Sequence, residues 1–141
     1  WKTWKMDYLP MLPEKMKHKV IGRTSHQFRT IKSLFNRKDT NCLIIATDAG
    51  REGELVARWI MRLGGWKGPF KRLWISSQTD AAIKSGFNNL KNGHEYDNLF
   101  KAAECRAEAD WIIGLNVTRA LCCKHDARLS AGPAPTGSPW T

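Results

Sequence analysis

Three carboxylates stand close together in "LIIATDAGREGELVARWI", residues 43–60: Asp48, Glu52 and Glu54. They sit among small residues, where an apolar run ends and an amphipathic pattern begins. Gly50 and Gly53 lie between them and let the backbone approach a neighbour or a ligand closely. Carboxylates grouped in this way suit a hard cation. Mg²⁺ is commonly held by one or two of them together with substrate phosphates. The same acids would also favour a helix N-terminus by opposing the positive end of its dipole. The spacing alone admits both readings.

The flanking residues indicate what must position these groups. "CLIIAT" (42–47) is a short continuous apolar run, as expected of a strand buried on both faces. Leu55, Val56, Trp59, Ile60 and Leu63 then recur at helical spacing, and "GGWKGP" (64–69) ends that helix. Asp48 therefore falls at the carboxyl end of a strand, where open parallel sheets bind ligands. Glu52 follows in the turn or the first helical turn. Upstream, residues 25–37 place Phe28, Ile31 and Phe35 on one helical face, with Ser25 as N-cap. Downstream, "KRLWISS" (71–77) reads as a second strand. "TDAAIKSGFNNL" (79–90) reads as a helix capped by Thr79. The order helix, strand, helix, strand, helix implies an α/β fold with parallel strands.

The pattern changes near residue 95. Tyr96, Leu99, Ala103, Ala107, Trp111, Leu115 and Thr118 fit one face of a long helix, the start of a second, helical domain. The tail "AGPAPTGSPWT" is expected to be irregular. Trp59, Trp74 and Trp111 fall at periodic apolar positions and read as core. His18, His26, His94 and His125 are scattered and form no ligand pattern.

The 141-residue chain carries a formal charge of +10. The imbalance is local: residues 1–38 hold ten lysines and arginines against Asp7 and Glu14 alone. Such a block points to a polyanionic partner, or to a solvated basic face. The opening "WKTWKMDYLPMLPEKMKHKV" interleaves aromatics with lysines, and Pro10 and Pro13 disfavour helix there. Cys42, Cys105, Cys122 and Cys123 show no zinc spacing and no disulfide framework, which suits reduced thiols in a cytosolic protein. No apolar run approaches the roughly 20 residues of a membrane span, and no signal peptide is visible. The first residue is Trp1, as expected of a piece of a longer chain.

"ATDAGREGELVARW" resembles the core of the Toprim domain of type IA DNA topoisomerases, whose usual pattern after a strand is D-x-D-R-E-G-E. "KRLWISSQTDAAIKSGFNNL" and "EYDNLFKAAECRAEADWIIGLNVTRAL" are similar to two further stretches of the topoisomerase III branch, and "WKTWKMDYLPMLPEKM" to its segment before the Toprim core. The likeness runs to Gly132. It implies a Toprim-type parallel sheet flanked by helices over residues 1–92, N-terminally incomplete. Residues 93–141 would be the start of the α-helical domain that follows, a long helix with an irregular Pro/Gly-rich tail.

The implied activity is ATP-independent breakage and rejoining of single-stranded DNA through a 5′-phosphotyrosine link, in a bacterial, nucleoid-associated enzyme. By position in the motif, Asp48 and Glu52 correspond to Mg²⁺ ligands, Glu52 also to a catalytic residue, and Arg51 to the motif arginine. Gly53 and Glu54 complete the motif, the latter with no assigned role. Gly50 stands where the common pattern has a second Asp, although a bacterial sub-branch also reads DAGREGE. Arg106 and Arg119 fall on the helix that, by the resemblance, borders the DNA groove. Arg106 is also spaced to pair with Asp110. The family's early glutamate and its nucleophilic tyrosine have no counterpart here, and neither Tyr8 nor Tyr96 matches the latter. The match breaks at Pro133, where the family has an arginine. The isolated chain is thus expected to be inactive. A catalytically inactive DNA-binding module, or another Toprim protein such as a nuclease or primase, is the competing expectation.

Overall fold

A computed structural model describes residues 4–131 of the chain. The expected irregular tail, including Pro133, lies outside the described residues beyond Ala131. The described part is mixed α/β. In chain order it contains α1 (Ser25–Phe35), β1 (Leu43–Ile45), α2 (Arg51–Gly64), β2 (Phe70–Arg72), α3 (Asp80–Asn88), β3 (Lys91–Asn92) and α4 (Asp97–His125). Short 3-10 turns occupy Met6–Tyr8, Gly22–Thr24 and Gly93–Tyr96. No helix among the described residues is long and apolar enough to cross a membrane.

The expected helices form, but Ser25 is not the cap of α1: it is the helix's first residue, and Thr24 stands at the N-cap position without a side-chain cap bond. Thr79 caps α3 by accepting the Ala82 N–H at 3.3 Å. Gly65, at φ 79°, terminates α2 in the left-handed conformation that glycine adopts without a Cβ clash. The sheet differs from expectation in three respects. It is mixed rather than parallel: β1 and β2 are parallel, but β3 pairs antiparallel to β2 through Lys71–Asn92 and Arg72–Lys91. The second strand is shorter than 71–77: it spans Phe70–Arg72, and the Leu73 N–H still donates to the Ile45 carbonyl at 2.9 Å before the chain leaves the sheet. β1 is buried on one face only: Ile45 is buried and Ile44 is 40% exposed.

The chain divides into two compact units, one of residues 18–104 and one of residues 1–17 with 105–141. In the first, Ile45, Ala57, Met61 and Phe70 form the core, with Phe35, Leu43 and Trp66 packed against it. Burying these side chains supplies the unit's main driving force, about 25 cal/mol per Å² of apolar surface. Trp59 is half-buried, and its indole N–H donates to Glu104 Oε1 at 3.2 Å. Trp74 departs from its expected core role and is 39% exposed. In the second unit, Asn116 ties the N-terminal segment to α4. Its Oδ1 accepts the Met11 N–H at 2.6 Å, while its amide donates to the Met11 and Ile112 carbonyls. Met11 is buried there.

Glu104 generates a pH prediction. Burial opposes its ionisation, but hydrogen bonds from Arg62 and Trp59 outweigh this and hold its carboxyl below the ordinary value. A carboxylate with a lowered folded-state pKa stabilises the fold above the unfolded pKa and loses that contribution as pH falls through the folded one. Denaturant unfolding should therefore show stability declining below about pH 4.5. Glu104→Gln should flatten that decline.

Candidate functional site

The acidic turn is built from the end of β1 and the start of α2. After Ile45 the chain passes through Thr47 and Asp48, and Gly50 precedes the helix in an extended conformation. The Glu54 N–H donates to the Gly50 carbonyl at 3.1 Å, and the Thr47 hydroxyl to the Gly53 carbonyl at 2.8 Å. These bonds close the turn against the first turn of α2. Gly53 is required by this closeness. A Cβ there would collide with the Asp48 carbonyl oxygen and lie 3.1 Å from the Asp48 nitrogen. Gly50 is under no such demand. A Cβ at position 50 would find only Glu52 Oε2, 4.0 Å away.

Beneath the turn lies a buried charge network. Arg72, fully buried, donates from Nη1 to the carbonyls of Ile45 (3.2 Å), Thr47 (2.8 Å) and Leu73 (2.7 Å). Its Nη2 donates to the Asp48 carbonyl at 2.6 Å. One guanidinium thus gathers the carbonyls of Ile45, Thr47 and Asp48, which run from the end of β1 into the acidic turn. Its Nε lies 2.9 Å from Oε2 of Glu54, which is also fully buried; the contact is electrostatic rather than an aligned hydrogen bond. Arg58 Nε donates to the other Glu54 oxygen at 2.8 Å. Arg58 Nη2 reaches Asp97 Oδ1 and the Gly93 carbonyl, each at 2.8 Å, and its guanidinium lies 4.3 Å above the Phe70 ring. Two guanidiniums and two carboxylates therefore balance. Burial opposes ionisation of Asp97, but hydrogen bonds from His94 and Arg58 keep its carboxyl below the ordinary value.

The structure separates the three motif acids by role. Asp48 and Glu52 are exposed, as is Arg51 at the first position of α2. Among the described residues, no ion pair engages the carboxylates of Asp48 or Glu52. Glu54 has none of this freedom, since both its oxygens are committed to arginines. Among the described residues, no three His, Cys, Asp or Glu side chains gather as a metal cluster. Two exposed carboxylates nonetheless suit Mg²⁺, a hard cation that takes its remaining oxygens from water and phosphate. Asp48 and Glu52 are thus the groups available to hold it.

Arg106 and Arg119 belong to the other unit. Arg106 is exposed and pairs with Asp110 at 3.6 Å. Arg119 is half-buried, with Nη1 3.1 Å from Met11 Sδ and its guanidinium over the Trp4 ring. Arg72 and Arg58 were not singled out from the sequence. The available signal for Arg72 was a permanent cation inside an apolar strand pattern, which folding must satisfy with acceptors.

No protein-family model matches the chain. Over 136 residues, 96% of the chain, it is 56% identical to DNA topoisomerase 3 of Shouchella clausii. It is 55% identical to DNA topoisomerase 3 of Bacillus subtilis over 134 residues, and 57% identical to that of Bacillus cereus over 136. By sequence, the chain is similar to part of these DNA topoisomerases. Within them it matches one segment of DNA topoisomerase 3, spanning 18–19% of the length of these relatives.

The geometry distinguishes structural from exposed groups. Arg72→Met should remove about 3–5 kcal/mol by stranding Glu54 without one of its cations. Gly53→Ala should cost about 1–3 kcal/mol by overpacking against Asp48. Asp48→Asn and Glu52→Gln should each stay within about 0.5 kcal/mol of the parent chain. Urea unfolding of the four variants checks the order.

Proposed function

We propose that this chain is the acid-bearing segment of a type IA DNA topoisomerase, an enzyme that transiently opens single-stranded DNA through a 5′-phosphotyrosine link. Residues 1–92 are read as part of its Toprim domain, and residues 93–141 as the start of its helical domain. The observation that carries the reading is the pair of exposed carboxylates, Asp48 and Glu52, on a turn fixed by buried Arg72. The chain that bears this turn is more than half identical to DNA topoisomerase 3.

In this reading Asp48 and Glu52 hold Mg²⁺ at the carboxyl end of β1, and the first turn of α2 presents backbone N–H groups toward a DNA phosphate. Bound there, the ion would neutralise and orient phosphate charge. Arg51, exposed beside the two acids, is read as meeting the same phosphate. Arg72 keeps the turn in one geometry, so its carboxylates need little reorganisation to act. Arg106 and Arg119 are assigned to the DNA groove of the helical part. The nucleophilic tyrosine is assigned to the part of the parent enzyme outside the matched fifth. No ATP is needed, because the covalent link conserves the energy of the broken bond.

A chimera tests this. The matching segment of Bacillus subtilis DNA topoisomerase 3 is replaced by this chain's residues, and relaxation of negatively supercoiled plasmid is followed against Mg²⁺. The chimera should relax the plasmid, and Asp48→Asn or Glu52→Gln should slow it at least about tenfold. The 141-residue chain alone should show no relaxation. A folded chimera that relaxes plasmid equally well with both carboxylates removed would defeat the proposal.

Gly50 gives a second expectation. An Asp there meets no steric obstacle, suits the N-cap position of α2, and starts beside Glu52 Oε2. In the chimera, Gly50→Asp should lower the Mg²⁺ concentration at half-maximal rate, with stability unchanged to within about 1 kcal/mol.

A further inference from the structure

The two exposed carboxylates sit on opposite arms of the acidic turn. Asp48 follows the end of β1, and Glu52 lies in the first turn of α2. A side-chain bond joins the arms. The Thr47 hydroxyl donates to the Gly53 carbonyl at 2.8 Å, and these are the residues immediately before Asp48 and immediately after Glu52. The bond therefore closes a loop that contains both acids. Each side of this tether is anchored. The Thr47 carbonyl accepts from buried Arg72 at 2.8 Å, and the Asp48 carbonyl from the same guanidinium at 2.6 Å. Gly53 is held within α2, so close to the Asp48 backbone that a Cβ would collide with it.

The fold has little need of this bond. The Gly53 carbonyl lies inside α2, where the helical ladder offers it the N–H four residues on. Thr47 is exposed, so water could serve its hydroxyl, and an exchange of that kind adds little net stability. What the bond contributes is geometry. The branched Cβ of threonine restricts rotation about χ1, so the arm bearing Asp48 is joined stiffly to the start of α2. The separation of the two carboxylates is then held to a narrow range. Such a limit discriminates by cation size. Mg²⁺ demands near-octahedral oxygens at about 2.0–2.1 Å, whereas Ca²⁺ accepts a looser shell at about 2.3–2.6 Å. Loosening the pair penalises the first ion more than the second.

We infer that Thr47 is a positioning residue: its hydroxyl sets the spacing of Asp48 and Glu52 and so favours a small, rigidly coordinated divalent cation over a larger one. The inference rests on the Mg²⁺ reading above and adds to it the residue that sets the selectivity of the turn.

The test is cation binding by the 141-residue chain without DNA. Mn²⁺ is the probe, because it takes the same oxygen donors and its free form is counted by electron paramagnetic resonance. Mg²⁺ and Ca²⁺ are then titrated as competitors. The parent chain should bind Mn²⁺, and Asp48→Asn should remove that binding. Thr47→Val replaces the hydroxyl with a methyl group of similar size. It should raise the dissociation constants of Mn²⁺ and Mg²⁺ about three- to tenfold, because the competent spacing is then populated only part of the time. The constant for Ca²⁺ should rise by less than about twofold. Thr47→Ser, which keeps the hydroxyl, should recover most of the Mg²⁺ affinity. The urea midpoints of both variants should match the parent's.

Equal Mg²⁺ affinity in Thr47→Val and the parent would overturn the role of Thr47 and leave the carboxylate site intact. Failure of Thr47→Ser to recover affinity would do the same. Weakening of Mg²⁺ and Ca²⁺ by one common factor would overturn the selectivity. A Thr47→Val chain that does not fold would show the tether to be structural, which also overturns the inference. No Mn²⁺ binding by the parent, or binding that survives loss of both carboxylates, would defeat the metal reading itself and the inference with it.

Discussion

A carboxylate buried between two guanidiniums is the constraint on which the rest of this structure depends. Glu54 has no exposed surface and meets both Arg58 and Arg72 within 3 Å. Taking such charges out of water costs several kcal/mol per ion, recovered only when every partner is in place. Arg72 spends its remaining donors on the carbonyls at the end of β1, and Arg58 reaches Asp97 at the start of α4. The network therefore fixes three things together: the seat of α2 on the sheet, the path of the acidic turn, and the entry of α4. The exposed carboxylates of Asp48 and Glu52 inherit a defined position from groups that never meet solvent.

This arrangement also accounts for acid in a basic chain. Asp48 and Glu52 share one short turn, in a protein whose overall charge is +10. Glu52 lies in the first turn of α2, where the helix dipole favours negative charge. A cation bound there would relieve the mutual repulsion of the two acids and would make the turn attractive rather than repulsive to phosphate.

Much of the fold was legible in the sequence because it follows from short-range periodicity. Phe28, Ile31 and Phe35 announced α1, and Leu55 through Leu63 announced α2. Thr79 marked the start of α3. What escaped notice depends on contacts distant in sequence. β3 is two residues long and carries no pattern of its own; it exists because Lys91 and Asn92 meet Arg72 and Lys71. The end of β2 was misplaced because the apolar run Leu73–Ile75 continues a strand-like pattern beyond the last paired residue. In the candidate site, motif spacing marked Asp48, Glu52 and Glu54 alike. Only their burial separates two exposed acids from one that serves as an internal counter-ion. Trp74 looked like core by periodicity, yet the chain leaves the sheet just before it.

The buried cluster of Glu54, Arg72 and Arg58 has an evolutionary consequence. Removing one member strands a buried charge, whereas replacing a complementary pair with apolar residues of similar volume can be neutral. Drift at these positions is therefore blocked one step at a time and open only in coordinated steps. Among diverged relatives, Glu54 and its two arginines should be inherited or lost together, while exposed neighbours such as Val56 drift freely.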